Sequence, residues 1–298
     1  MKKSASLLNL LRLLENHVNY LFLFLLTLLP IAEVVARSFF RTGISDSANY
    51  IYHLVFLLTF LGGAYTAREQ EHLAIAAGME ALSHRPELRS WIRAVSVHLS
   101  VAVTVVFFVS SLSFLFLAFD RSVKVGVLPA QVFVFFMPIG FLLIAWRFLT
   151  HSPPGTARRI VAGLGVVTGL IIGYSTVYNL LFFFIPGLPL VFDDFLTAWY
   201  ALIRPVSLIF ILMLIVTALF GTPLFAVLGG IAILLFARTG GALESVPNEA
   251  YTMLISETIP VIPLFTFAGF ILSESRAGER LVTLFRGLFG WIPGGQII

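Results

Sequence analysis

Seven stretches of this chain, residues 18–40, 50–67, 94–119, 128–149, 160–184, 205–220 and 222–236, are apolar enough and long enough to be read as membrane-crossing helices. A hydrocarbon core of roughly 30 Å takes about 20 helical residues, and that requirement constrains the fold more than any reactive side chain does. Pro205 suits the first turn of the sixth stretch, where a missing N–H costs nothing. An eighth stretch, residues 252–272, carries Pro260 and Pro263 near its middle, so it reads either as a further span or as a broken, re-entrant element. The chain is 59% hydrophobic and 11% charged, whereas a soluble domain is about a quarter charged. The expectation is an all-α integral membrane protein of about seven transmembrane helices, with an interfacial helix and a proline-broken re-entrant hairpin.

The chain has no cysteine, which excludes disulfides and thiolate metal sites. Its net charge of +4 could suggest a nucleic-acid partner, but the basic residues sit between the spans and therefore report topology; no nucleic acid is expected. Placing the N-terminus in the cytoplasm puts ten of them, including Lys2, Lys3, Arg12, Arg68, Arg89, Arg93 and Arg147, at the inner face. It leaves Arg37, Arg41, Arg121, Lys124, Arg204 and Arg238 toward the outside, the lean that the positive-inside rule describes. The first apolar run is read as a retained helix, because Glu33 and Arg37 follow where a small-residue cleavage site would stand.

Three segments interrupt the spans. Residues 68–93 are charged yet keep apolar positions at helical spacing, as in Leu73, Ala76, Ala77 and Ala81, which predicts a helix lying in the interface plane, split at Pro86. His151-Ser152-Pro153-Pro154-Gly155-Thr156 is the clearest boundary between domains. Residues 185–204, with Pro186-Gly187, Pro189, Asp193, Asp194, Trp199 and Tyr200, read as an outer connection with an aromatic belt. The chain thus divides into a four-span scaffold (1–150), a linker helix with an outer connection (151–204) and a third part (205–298). That last part is interrupted twice, at Gly221-Thr222-Pro223 and around Pro260 and Pro263. Such breaks point to transporter binding regions, where unwound backbone lines a cavity or is buried in protein. No internal repeat is visible.

These residues resemble a specific family. The block GGAYTAREQEHLAI, from Gly62 to Ile75, with Arg68 and the pair His72-Leu73, is similar to the small membrane subunit of tripartite ATP-independent periplasmic (TRAP) transporters, as is EVVARSFF with Arg37. The chain departs from that pattern at Ala76-Ala77-Gly78, where an acid is usual, and at Asn49, Tyr50 and His53. The segment FGTPLFAVLGGIAILLF, followed by IPVIPLFTFAGFILSESRAGERLVTLFRGLFGWIPGG, resembles the opening of the family's large membrane subunit. The span 160–184 resembles the linking helix of fused members and has the parity such a link needs. The resemblance implies sodium-coupled uptake of organic acids such as sialic acid or C4-dicarboxylates, delivered by a periplasmic substrate-binding protein. It further implies an inner-membrane location, lipid contact, a stationary small subunit and an elevator-like large subunit. The sodium-binding segments are expected beyond residue 298, in the remainder of the large subunit, so the chain reads as part of a longer fused protein.

On that resemblance Gly221, Thr222, Pro223, Ser256, Glu257, Thr258, Pro260 and Pro263 are the candidates for a substrate or ion pathway, with packing-only breaks as the alternative. Glu33, Arg37, Arg68, Glu71 and His72 are candidates for the scaffold and its interfaces. Glu33 and Arg37 stand four apart, the spacing of a helical ion pair; Arg68, Glu71 and His72 read equally as a contact to the partner domain or as a solvated cluster. His53 and His98 read as packing residues and Gly229-Gly230 as close-packing glycines. No catalytic residue, cofactor or metal site is expected, since no phosphate-binding loop and no histidines at metal-ligand spacing occur. A non-transporting membrane scaffold is the alternative function.

Overall fold

The computed structural model describes residues 2–75, 77–187 and 192–289 and is almost wholly helical. In chain order the elements are α1 (Lys2–Phe40), α2 (Ser47–Glu69), α3 (Ala77–Ala81), α4 (Pro86–Ser113) ending in a π-turn (Phe114–Ala118), a two-stranded hairpin of β1 (Lys124–Val125) and β2 (Leu128–Pro129), then α5 (Gln131–Val134) and α6 (Phe136–Thr150). There follow α7 (Thr156–Ile172), α8 (Tyr174–Phe184), α9 (Asp193–Ala218), α10 (Leu224–Thr239), α11 (Ser245–Leu254), α12 (Val261–Glu274) and α13 (Ala277–Phe289). Five helices are long and apolar enough to cross a membrane, and the α7–α8 pair makes a sixth if counted as one bent span. The seventh expected segment is α10, a shorter apolar helix of 16 residues.

α4 is the axis of the bundle, flanked by α6, α7, α8, α9 and α10. Its sequence is rich in Ser, Thr, Val and Ala, so neighbouring helices approach closely and the hydroxyls must find partners without water. Several return to carbonyls of their own helix: Ser100 Oγ donates to Ser96 O at 2.8 Å and Ser110 Oγ to Val106 O at 2.8 Å. Against this face α7 sets a row of glycines. A Cβ at Gly165 would lie 2.5 Å from His98 O, and one at Gly169 would lie 2.6 Å from Ala102 O. This is the close backbone approach by which small residues pack helices where lipid supplies no hydrophobic contrast. Gly229 and Gly230 serve α10 likewise, seated against Phe107 and Val103.

Several sequence expectations need correction. The single span 160–184 is two helices bent by 68° at Gly173, a residue that tolerates a kink. The Trp199 indole N–H donates to Ile171 O at 2.6 Å beside the bend. Pro205 lies inside α9 rather than in its first turn, because the aromatic residues read as an outer connection are themselves helical from Asp193. α1 begins well before residue 18. The predicted interfacial helix is reduced to the five residues of α3, since Leu73 to Ile75 are extended and engaged in backbone pairing with the far part of the chain. Pro86 opens α4 rather than splitting a horizontal helix. The break near the proline pair is present: α11 ends at Leu254, turns follow, and α12 starts at Val261. Ala76, Pro189 and the motif's end from Gly290 to Gly295 lie outside the described residues.

Replacing Gly169 by leucine is expected to cost about 1–3 kcal/mol by overpacking. Thermal unfolding of the detergent-solubilised protein measures it, with Gly163→Ala, whose Cβ meets nothing within 4 Å, as the variant that leaves the midpoint unchanged.

Candidate functional site

The feature that organises the site is a backbone stitch between two segments about 150 residues apart in sequence. α9 ends at Ala218, Gly221 takes φ +89°, and Pro223 precedes α10. The chain is thereby unwound over a few residues, and its freed amides need acceptors. Those come from the extended segment after α2: Leu224 N–H donates to Leu73 O at 2.9 Å and Gly221 N–H to Ile75 O at 3.0 Å, while Gly78 N–H donates back to Leu219 O at 2.9 Å. Ala74 and Pro223 thus form an isolated antiparallel bridge. Gly78 is required here, because a Cβ would lie 2.7 Å from the Phe220 ring and 2.9 Å from Leu219 O. Thr222 is fully buried at this joint, and its hydroxyl has no partner among the described residues.

His72 sits under the stitch with its ring centroid 5.5 Å from that of Phe148 and 5.1 Å from that of Phe225. Its Nδ1 meets Thr66 Oγ1 at 3.2 Å. The Thr66 hydroxyl already donates to Gly63 O at 3.0 Å, so Nδ1–H is the donor and Nε2 carries the lone pair. Burial pushes the His72 pKa down to about 4. Arg68, expected beside it, is elsewhere. Its side chain is 7% exposed and donates to Glu15 Oε2 at 2.8 Å, Glu69 Oε1 at 2.8 Å and Asn16 Oδ1 at 2.6 Å. Arg147 reaches the same Glu15 oxygen at 3.3 Å. Three helices are therefore tied at one bundle end by a single carboxylate. Glu71 is exposed, so the expected Arg68–Glu71–His72 cluster is dispersed.

At the opposite end, Glu33 accepts from Arg37 Nε and from the backbone N–H of Ile44, both at 2.6 Å. It closes the α1–α2 turn and lies close over Gly43, where a Cβ would lie 2.6 Å from Glu33 Oε1 and push that side chain aside. Glu244, buried before α11, accepts from Ser113 Oγ at 2.6 Å and Asn179 Nδ2 at 3.0 Å, joining α4, α8 and the α10–α11 connection. His53 accepts at Nε2 from the Tyr251 hydroxyl at 3.0 Å, with Nδ1 on Asn49 O at 2.8 Å. Ser256, Glu257, Thr258 and Pro260 form the turn between α11 and α12, and Pro263 lies in the first turn of α12, away from the stitch at Gly221, Thr222 and Pro223. Glu15, Asn16, Asn179 and Glu244 escaped the sequence reading, and Arg147 entered it only as a topology charge. Isolated charges in or beside apolar helices, as Glu15 and Arg147 are, were the available signal.

Two membrane modules, joined through a bent helix and stitched to each other by backbone, define a polytopic helical protein whose second part is anchored on its first. Residues 26–152 match the family model for the DctQ component of tripartite ATP-independent periplasmic transporters, and residues 208–297 match that for the DctM component. The chain belongs to this transporter family and carries small- and large-subunit sequence in one polypeptide. No curated protein and no solved structure matches it. Membership points to a transporter rather than an enzyme. It also implies a periplasmic binding protein and the other membrane subunit as partners, and a multi-pass place in the bacterial inner membrane.

Glu15→Ala leaves Arg147 without a carboxylate and Arg68 with Glu69 alone, so it is expected to destabilise the bundle by about 1–3 kcal/mol, read as a lowered unfolding midpoint. His72 binds its proton more weakly folded than unfolded, so the unfolded chain protonates first as pH falls. The stability this gives is present above the ordinary value of 6.5 and is lost as pH falls from there toward about 4. Melting scans at about pH 7.5 and about pH 5 should show a larger drop for the native protein than for His72→Phe.

Proposed function

We propose that this chain is the membrane component of a sodium-coupled secondary transporter that imports an organic acid, such as sialic acid or a C4-dicarboxylate, delivered by a periplasmic binding protein. The observation that carries the reading is the stitch between residues 73–78, within the DctQ match, and residues 219–224, within the DctM match. Each module supplies backbone groups that the other needs, so the start of the large-subunit sequence is held to the small-subunit frame. On this reading Gly221, Thr222 and Pro223 belong to the stationary frame. The turn carrying Ser256, Glu257, Thr258 and Pro260, with Pro263 beyond it, is where moving elements of the pathway begin. Glu33, Arg37, Arg68 and His72 brace the frame. α12 packs chiefly on α13 and has no buried residue, which supports placing it against further large-subunit sequence.

The bundle end that carries Arg68, Arg89, Arg93 and Arg147 is the cytoplasmic one on the positive-inside rule, which puts the N-terminus inside. Sodium binding belongs to large-subunit sequence other than the residues described here.

The test is uptake into proteoliposomes of the transporter assembled from this chain, with any further large-subunit sequence and its binding protein. Uptake of labelled sialic acid or dicarboxylate should require an inward sodium gradient, and accumulation independent of sodium would overturn the coupling. Gly78→Val, which pushes against Phe220 and Leu219 O, should abolish uptake along with module association.

A further inference from the structure

We propose that the cavity beneath the stitch, at the arginine-rich end of α4, is a binding site for a phosphate group. The cavity has a volume of about 330 Å³, room for roughly eleven waters' worth of ligand, enough for a phosphate with a glycerol attached. Arg89, Arg93 and Ser96 line it from one face of α4 at helical spacing. Arg89 is exposed and its side chain has no partner among the described residues. Among the described residues Arg93 donates only to the neutral Oε1 of Gln70, at 2.9 Å. None of the lining residues is acidic, so two guanidinium charges face the space with no carboxylate to balance them.

Deeper in the same cavity Ser96 is 5% exposed and its hydroxyl has no partner among the described residues. His72 Nε2, also unpartnered there, presents a lone pair and so calls for a donor such as a protonated phosphate oxygen or an ester's hydroxyl. A buried hydroxyl left unpaired costs about 1–3 kcal/mol, which an acceptor oxygen entering the cavity would relieve. Two guanidinium forks at the mouth and a hydroxyl donor within suit a tetrahedral oxyanion that presents several oxygens at once. The side chains of Phe148 and Phe220 give the remaining wall an apolar character that accommodates the non-phosphate part of an ester. A phospholipid headgroup and free phosphate share this chemistry, and basic pockets between membrane helices are known to hold headgroups.

The test uses the full chain, purified in detergent and stripped of endogenous lipid, in native mass spectrometry and thermal unfolding. The probes are phosphatidylglycerol, diacylglycerol with the same tails, and inorganic phosphate. Phosphatidylglycerol is expected to bind and raise the midpoint, and diacylglycerol to do neither. R89A/R93A should weaken binding at least about tenfold. S96A should weaken it several-fold while melting no lower than the native protein, because that hydroxyl has nothing to lose, so the site stays testable even if the double arginine variant fails to fold. Phosphatidylglycerol binding with inorganic phosphate inert assigns the site to lipid, whereas stabilisation by inorganic phosphate itself assigns it to the free anion; either outcome supports the site. Equal binding of diacylglycerol, no binding of any probe, or binding unchanged in both variants overturns it.

Discussion

A chain buried in hydrocarbon has no water to satisfy an unwound backbone, so every interruption in a membrane helix must be answered by protein groups. In this molecule the interruption at 219–223 is answered by residues 73–78, and much else depends on that exchange. It forbids the horizontal helix that the charge pattern of residues 68–93 suggests, because Leu73 and Ile75 must stay extended to present their carbonyls. It brings His72 against Phe225 and removes the imidazole from the interface. It also encloses the cavity that Arg93 and Ser96 line from α4. A side-chain contact between modules could slide or re-pack; paired backbone groups permit one register only.

Besides the apolar packing of α9 and α10 on α4, a few polar contacts tie the modules. Glu244 gathers Ser113 and Asn179 at one bundle end, and Tyr251 donates to His53 within the bundle. Each partner is neutral or shared, which suits an apolar setting where an isolated charge is expensive. Glu15 is treated differently, with Arg68 and Arg147 both on one of its oxygens. The two guanidinium groups hold the ends of α2 and α6 against α1, a helix otherwise largely exposed from Arg12 to Phe40.

The spans were legible because apolar runs of bilayer length are a strong, local signal, and the breaks were legible because Gly and Pro act locally. Gly221 and Pro223 mark the α9–α10 interruption, and Pro260 marks the one before α12. What the sequence did not reveal depends on partners distant in the chain. Nothing around Arg68 announces that its acid is Glu15 rather than Glu71, and nothing around Glu244 announces Asn179. Pro205 misled because a membrane helix can carry proline internally where its neighbours re-satisfy the backbone. The 68° bend at Gly173 was hidden for the converse reason, since an unbroken apolar run hides a kink that a lone glycine permits.

The glycine face of α7 gives the fused arrangement a further meaning. Residues that touch main-chain oxygens of α4 at Gly165 and Gly169 make the connecting helix a wall of the bundle rather than a tether between two bodies. Cutting the polypeptide in the turn around Pro153 and Pro154 would spare every contact named above, whereas excising the helix would strip one flank of α4 to lipid.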